Sequence, residues 1–182
     1  MSPWNLFRRP KHAEAVTRQI YTEIIAQARQ PAFYATGGVP DSLDGRFEMI
    51  ALHCYLVLRR LRNAGPAAED LAQGLVDTLF SDMDASLREM GAGDLGIPKR
   101  IKSMAKGFFG RVAAYDAGLA GGDLGEALRR NLFGTANPRS DQVEAAAGYL
   151  RQASAALGSQ PLDEILAGRA HFGAIGLTGR GH

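Results

Sequence analysis

Residues 47–61, FEMIALHCYLVLRRL, carry apolar side chains around most of a helix circumference. A helix that is apolar on most sides must be covered on most sides, so this segment belongs at the centre of a core with other elements around it. Asp41 and Ser42 stand ahead of it as N-caps, and Gly65 and Pro66 close it, which predicts a helix over about 43–62. The surrounding segments share its period. Val16, Ile20, Ile24 and Ala28 recur at i+4 steps before Pro31 and predict a helix over 11–29. Further helices are predicted over about 67–90, 98–119, 123–133 and 139–157, the last capped by Ser140 or Asp141, with a short one in PLDEILAGR. Period-2 alternation with β-branched enrichment is missing. The expected fold is all-α, a single compact helical domain of about six helices over 11–170, with an N-terminal segment 1–10 and a glycine-rich, flexible C-terminal tail 171–182.

A chain of 182 residues fits one domain. Its net charge of +2 places any electrostatic footprint in local segregation of charge. Cys54 is the only cysteine, so no intramolecular disulfide forms and a reducing, cytoplasmic setting is expected. MIALHCYLVL is half the length that a bilayer-spanning helix needs. MSPWNLFRRPKH lacks the continuous apolar region of a signal; Trp4 and Phe7 beside Arg8 and Arg9 fit a small cap on the domain or a membrane contact. His12, His53, His171 and His182 are scattered, and none shares a helix face with a carboxylate at ligand spacing, so no metal and no cofactor is expected. His53 reads as a satisfied core or interface histidine. GAGDLG follows a helix and not a strand, so its glycines are a helix stop and a turn, not a phosphate loop.

The stretch SDMDASLREMGAGDLGIPKRIKSMAKGFFGR joins an acidic helix end, a tight loop and a basic helix. On the first helix Leu75, Leu79, Met83, Leu87 and Met90 form the apolar face. Asp84 and Arg88 are an i, i+4 pair on the polar side with Asp77, and Asp82 and Glu89 sit a heptad apart on a shoulder of the apolar stripe. That spacing is too long to chelate one ion, which leaves a binding edge or a solvated face. Pro98 opens the second helix. Its apolar stripe is Ile97, Ile101, Met104, Phe108, Val112, Tyr115 and Leu119, with Lys99, Lys102 and Lys106 opposite, Arg100 and Arg111 on one shoulder, and Phe109 beside the lysine row. An aromatic among lysines points to an anionic and partly greasy contact, such as anionic lipid headgroups or acidic client loops, and the other reading of the same residues is a lysine row kept for solubility. Nucleic acid would call for a larger, arginine-rich patch. The two helices, joined so tightly, are expected to pack side by side.

VPDSLDGRFEMIALHCYLVLRRL, followed by LFSDMDASLREMGAGDLGIPKRIKSMAKGFFGRVAAYDAGL, resembles the ubiquinol-cytochrome c chaperone family over roughly residues 30–135. The resemblance implies a helical, non-enzymatic assembly factor that binds newly made cytochrome b, or another membrane-protein client, near the membrane and helps to build the ubiquinol-oxidising respiratory complex. A second assembly factor is a further implied partner. The motif positions are Asp82, Asp84, Leu87, Arg88, Glu89, Gly91, Asp94, Lys99, Lys102, Gly110, Arg111, Tyr115 and Asp116. With about forty residues ahead of DGRFEMI, where mitochondrial members carry a longer part, a bacterial protein is expected, cytoplasmic or peripheral on the inner face of the inner membrane.

Overall fold

Every residue from Ala51 to Val57 is buried, so the segment that is apolar on most sides is enclosed on all of them for two turns. The computed structural model describes residues 11–89, 96–134 and 136–176. The segment lies in α3 (Leu43–Leu61), and around it in chain order stand α1 (Lys11–Ala28), α2 (Pro31–Ala35), α4 (Pro66–Glu89), α5 (Ile97–Leu119), α6 (Leu124–Leu128), α7 (Ser140–Ser159) and α8 (Leu162–Leu166). The described residues contain no strand, and the all-α reading holds. The segment with Trp4 and Phe7, and the positions Met90, Gly91 and Asp94, lie outside the described residues, as does the side chain of Arg100.

Helix α3 is the axis, in contact with α1, α4 and α7. Its start is fixed by Ser42, whose Oγ accepts the Gly45 N–H at 3.1 Å. The incoming chain doubles back over Gly45 so closely that a Cβ there would lie 1.9 Å from the Pro40 carbonyl oxygen, so only glycine fits. At its far end a short turn leads into α4, which buries Leu75, Leu79, Met83 and Leu87 of the expected stripe and also Leu71 one turn before it. On α1 the predicted stripe of Val16, Ile20, Ile24 and Ala28 is buried in full. Helix α5 packs against α4, as expected. Phe108 stands edge-on to Phe80 at 6.1 Å and Tyr115 against Tyr55 of α3 at 5.5 Å.

The opposite flank of α3 is closed by α7 and the C-terminal chain, and His53 is the joint. Its ring is fully buried. Nδ1 lies 2.7 Å from the Met49 carbonyl oxygen, which can only accept, so Nδ1 carries the proton and Nε2 accepts from the Tyr149 hydroxyl at 2.7 Å. Tyr149 in turn accepts from Gln27 Nε2. Phe33 of α2 and Phe172 stand edge-on to the imidazole at 5.5 and 5.0 Å.

Local boundaries depart from the periodic pattern in three places. Pro31 ends α1 but also opens α2, since its preset φ suits the first position of a helix too short to show a period. Residues 123–133 are not one α-helix: Asp123 caps α6 at the Glu126 N–H, and Arg129–Phe133 continue as a π-helical turn. Arg139 is the N-cap residue of α7, one position before the expected caps, with Gln142 Oε1 accepting its backbone N–H at 3.0 Å. Among the described residues no helix follows Leu166, yet Ala170 and Phe172 belong to the core. Gln160 pins that stretch by donating to the Arg169 carbonyl and accepting the His171 N–H.

Candidate functional site

The N-terminal half of α3 is covered less completely than its middle. There α1, α3, α4 and α5 leave a cleft of about 500 Å³ whose wall includes Leu43, Phe47, Ile50, Met83, Leu87 and Met104, with Asp44, Asp82 and Arg29 at its edges. Leu43 in the first turn of α3 is 54% exposed, one of only two large apolar side chains so open among the described residues. Past Phe47 and Met104 a second cleft of about 550 Å³ runs between α3, α5 and the π-helical turn, with Glu48, Ser103, Arg111 and Arg130 on its wall. Both linings are mixed: the first has more large apolar side chains on its wall and charged groups at its rim, and the second has Glu48, Arg111 and Arg130.

An ion pair is set into the second cleft. Glu48 is buried, and Arg111 grips both its oxygens, donating from Nε to Oε2 at 2.6 Å and from Nη2 to Oε1. Arg111 reaches across because residue 107 is glycine: a Cβ there would lie 2.7 Å from Nη1. Burial pushes the Glu48 carboxyl above its usual range, and the Arg111 hydrogen bonds offset that only in part. A turn and a half further along α5, Asp116 accepts from the Tyr55 hydroxyl at 2.9 Å, Arg59 at 2.5 Å and Arg62 at 2.6 Å. Burial works against the Asp116 charge, but the bonds from Arg62, Tyr55 and Arg59 prevail and hold its carboxyl below the ordinary range. Between them the Tyr115 hydroxyl is buried with no hydrogen-bond partner among the described residues, and burial pushes its phenol up.

The thirteen sequence-derived candidates therefore divide. Arg111, Tyr115 and Asp116 turn inward and fasten α5 to α3. Asp82 accepts the Tyr21 hydroxyl at 2.9 Å at the rim of the apolar cleft. Burial first, and then Asp82, push the Tyr21 phenol up. Asp84 pairs with Arg88 at 2.7 Å, as the i, i+4 spacing predicts, while Glu89 is exposed at the end of α4. Lys99, Lys102, Lys106 and Phe109 form an exposed row on α5, with Phe109 56% open. Asp94 and the side chain of Arg100 lie outside the described residues. Among the described residues no group of three His, Cys, Asp or Glu side chains is placed to hold a metal ion, and no helix is long and apolar enough to cross a membrane.

Sequence reasoning missed the apolar cleft and Glu48. A signal for the cleft was present in Leu43 and Phe47, two large apolar residues in the first turns of a helix whose caps were already assigned. Glu48 carried a weaker one, as a carboxylate inside the most apolar helix, which needs a basic partner. No local pattern says that this partner is Arg111.

A sequence model of the family described as ubiquinol-cytochrome C chaperone matches residues 35–172, from the end of α2 to the docked Phe172. The ubiquinol-cytochrome-c reductase complex assembly factor 1 of Xenopus laevis is 24% identical over 136 residues, which are 74% of this chain and 68% of that protein. The Mus musculus and Homo sapiens proteins of the same name are each 23% identical over 150 residues, 81% of this chain. The chain spans only 51% and 50% of their respective lengths. The crystal structure of the Cbp3 homolog from Brucella abortus has the same fold, with a TM-score of 0.82 and 39% identity over 91% of this chain and 92% of that one. The family match takes in α3, α4, α5, the whole of the second cleft and all of the first except Tyr21 and Arg29, and the chain belongs to the ubiquinol-cytochrome c chaperone family.

Proposed function

We propose that this protein is an assembly chaperone for ubiquinol-cytochrome c reductase, holding newly synthesised cytochrome b at the membrane surface on the cytoplasmic side. The observation that carries the reading is the apolar cleft at the start of α3. Its volume of about 500 Å³ and its wall of Phe47, Ile50, Met83, Leu87 and Met104 suit two or three apolar side chains of a client helix. The exposed Leu43 extends that surface outward. Asp44 and Asp82 on the rim suit the lysines and arginines that flank membrane helices on the cytoplasmic side. The reading is one of binding: the residues lining the cleft include no histidine or cysteine, and of its two carboxylates Asp82 accepts the Tyr21 hydroxyl. Methionines at two of the wall positions suit a surface that accommodates more than one client side chain.

A second reading, a peripheral membrane module with no dedicated client, draws on the lysine row of α5. It leaves the apolar cleft without a role. The two are separated by deleting the gene and by capturing the tagged full-length protein from solubilised membranes. The chaperone reading expects loss of assembled ubiquinol-cytochrome c reductase on deletion, and cytochrome b in the captured material. Leu43→Glu, which changes an exposed residue, should lower that capture with the thermal melt unchanged. Normal accumulation of the complex in the deletion strain, together with capture that contains no cytochrome b, would overturn the reading.

A further inference from the structure

Three of the four lysines in the chain, Lys99, Lys102 and Lys106, are exposed along one side of α5. None makes an ion pair among the described residues. The basic groups that meet fixed carboxylates are arginines: Arg111 on Glu48, Arg59 and Arg62 on Asp116, Arg88 on Asp84, and Arg139 on Asp141. That division follows the chemistry of the two side chains. A planar guanidinium suits a carboxylate held in one geometry, whereas an ammonium on a flexible stem is a point charge that asks for no geometry at all. A row of unpaired lysines fits an anionic surface whose charges move.

The rest of that side of α5 agrees. Phe109 lies seven residues beyond Lys102, two helical turns along the same line, and is 56% exposed. Gly110, Ala113 and Ala117 complete the exposed strip. The only acidic residue of α5 is Asp116, and it is bound to Tyr55, Arg59 and Arg62. The face is therefore basic in its first half and uncharged in its second, with one aromatic ring projecting and no carboxylate to repel phosphate. It is also the convex outer side of a single helix, with the clefts reached by Ser103, Gly107 and Arg111 around its flank. A convex face meets a plane better than it grips a protein ridge. We infer that the Lys99–Lys102–Lys106 row and Phe109 form a docking face for an anionic phospholipid bilayer, with the ammonium groups among the headgroup phosphates and the Phe109 ring in the interface. This rests on the chaperone reading only in its purpose, which is to present the neighbouring cleft to a client at the membrane.

The test uses the full-length protein and vesicles of phosphatidylcholine mixed with phosphatidylglycerol, set against vesicles of phosphatidylcholine alone. Co-sedimentation is expected with the first and not the second, and it should fall as salt is raised. The triple variant Lys99→Gln, Lys102→Gln, Lys106→Gln should bind about a hundredfold more weakly, and Phe109→Ala about tenfold more weakly. In a Trp4→Phe background, Phe109→Trp should show blue-shifted emission on the mixed vesicles. Equal binding to both vesicle types, binding to neither, or triple-variant binding equal to that of the unmodified protein would overturn the inference. So would lysine-dependent binding to an acidic peptide or an RNA without vesicle binding. Cytochrome b capture in detergent separates the two readings: capture that persists while vesicle binding fails removes this inference and leaves the chaperone reading in place.

Discussion

His53 makes the stability of this protein depend on pH in a window where most carboxylates are silent. Burial holds its pKa down at about 4, against an ordinary 6.5, and only the Met49 carbonyl works the other way. Protonation would place a hydrogen on Nε2, where the Tyr149 hydroxyl now donates, with Phe33 and Phe172 on the sides and, among the described residues, no carboxylate hydrogen-bonded to the ring. Because the folded pKa is the lower one, the contribution is complete above pH 6.5 and is lost as pH falls toward 4. Between about pH 7.5 and about pH 5 the difference in bound protons amounts to about 2 kcal/mol of unfolding free energy, or roughly 4–8 °C in melting temperature for a domain of this size. Urea unfolding of the unmodified protein and of His53→Gln at both pH values measures it. The glutamine variant should start less stable but lose about 2 kcal/mol less across the window. Glu48, whose raised pKa makes its protonation favour the fold as pH falls, is present in both proteins and cancels in the difference. Parallel losses in the two proteins would refute the assignment.

Arg111→Ala strands the buried Glu48 carboxylate and should cost about 3 kcal/mol in urea unfolding. The double change Arg111→Met, Glu48→Gln should recover most of that. Phe172→Ala removes a ring that is 4% exposed and should cost about 3 kcal/mol, whereas a loosely held chain end would give almost no change. Reversing Lys99, Lys102 and Lys106 to glutamate should leave the thermal melt close to that of the unmodified protein, since exposed substitutions of this kind change stability by less than about 0.5 kcal/mol each. Collapse of that variant would mean that these lysines face inward.

The parts of the fold legible in the sequence are those written in one helix at a time. The apolar girdle of α3, the i+4 stripes of α1 and α4, and the helix-opening Pro98 each declare a local period or a cap, and each is found as read. The inward turn of Arg111 and Asp116 is a different kind of information. Their partners Glu48, Tyr55, Arg59 and Arg62 lie more than fifty positions away, and on a helical wheel a residue on the shoulder of a stripe looks the same whether it meets solvent or a buried carboxylate. The cleft is only faintly legible for a related reason. It arises where four helices fall short of covering Leu43 and Phe47, and although those two residues hint at an apolar surface, the shortfall in packing itself is not written in any single helix. Lys99, Lys102, Lys106 and Phe109 were readable because exposure on a helix is set by the face opposite its own stripe.

The fastening of α5 has a mechanical consequence. Its polar attachments to α3 are at Arg111 and Asp116, and the buried Phe108 lies one turn before them. From Ile97 to Gly107, about 15 Å of helix, no such clamp is found among the described residues, and the arm rests on the partly buried Ile101 and Met104. Its clamped end is therefore the one near Phe108 and Arg111. The lysines sit on that arm, and so do Ser103 and Met104, which wall both clefts. Whatever load is applied to the lysines is therefore delivered, through a stiff helix, to one side of the opening in which a client would sit.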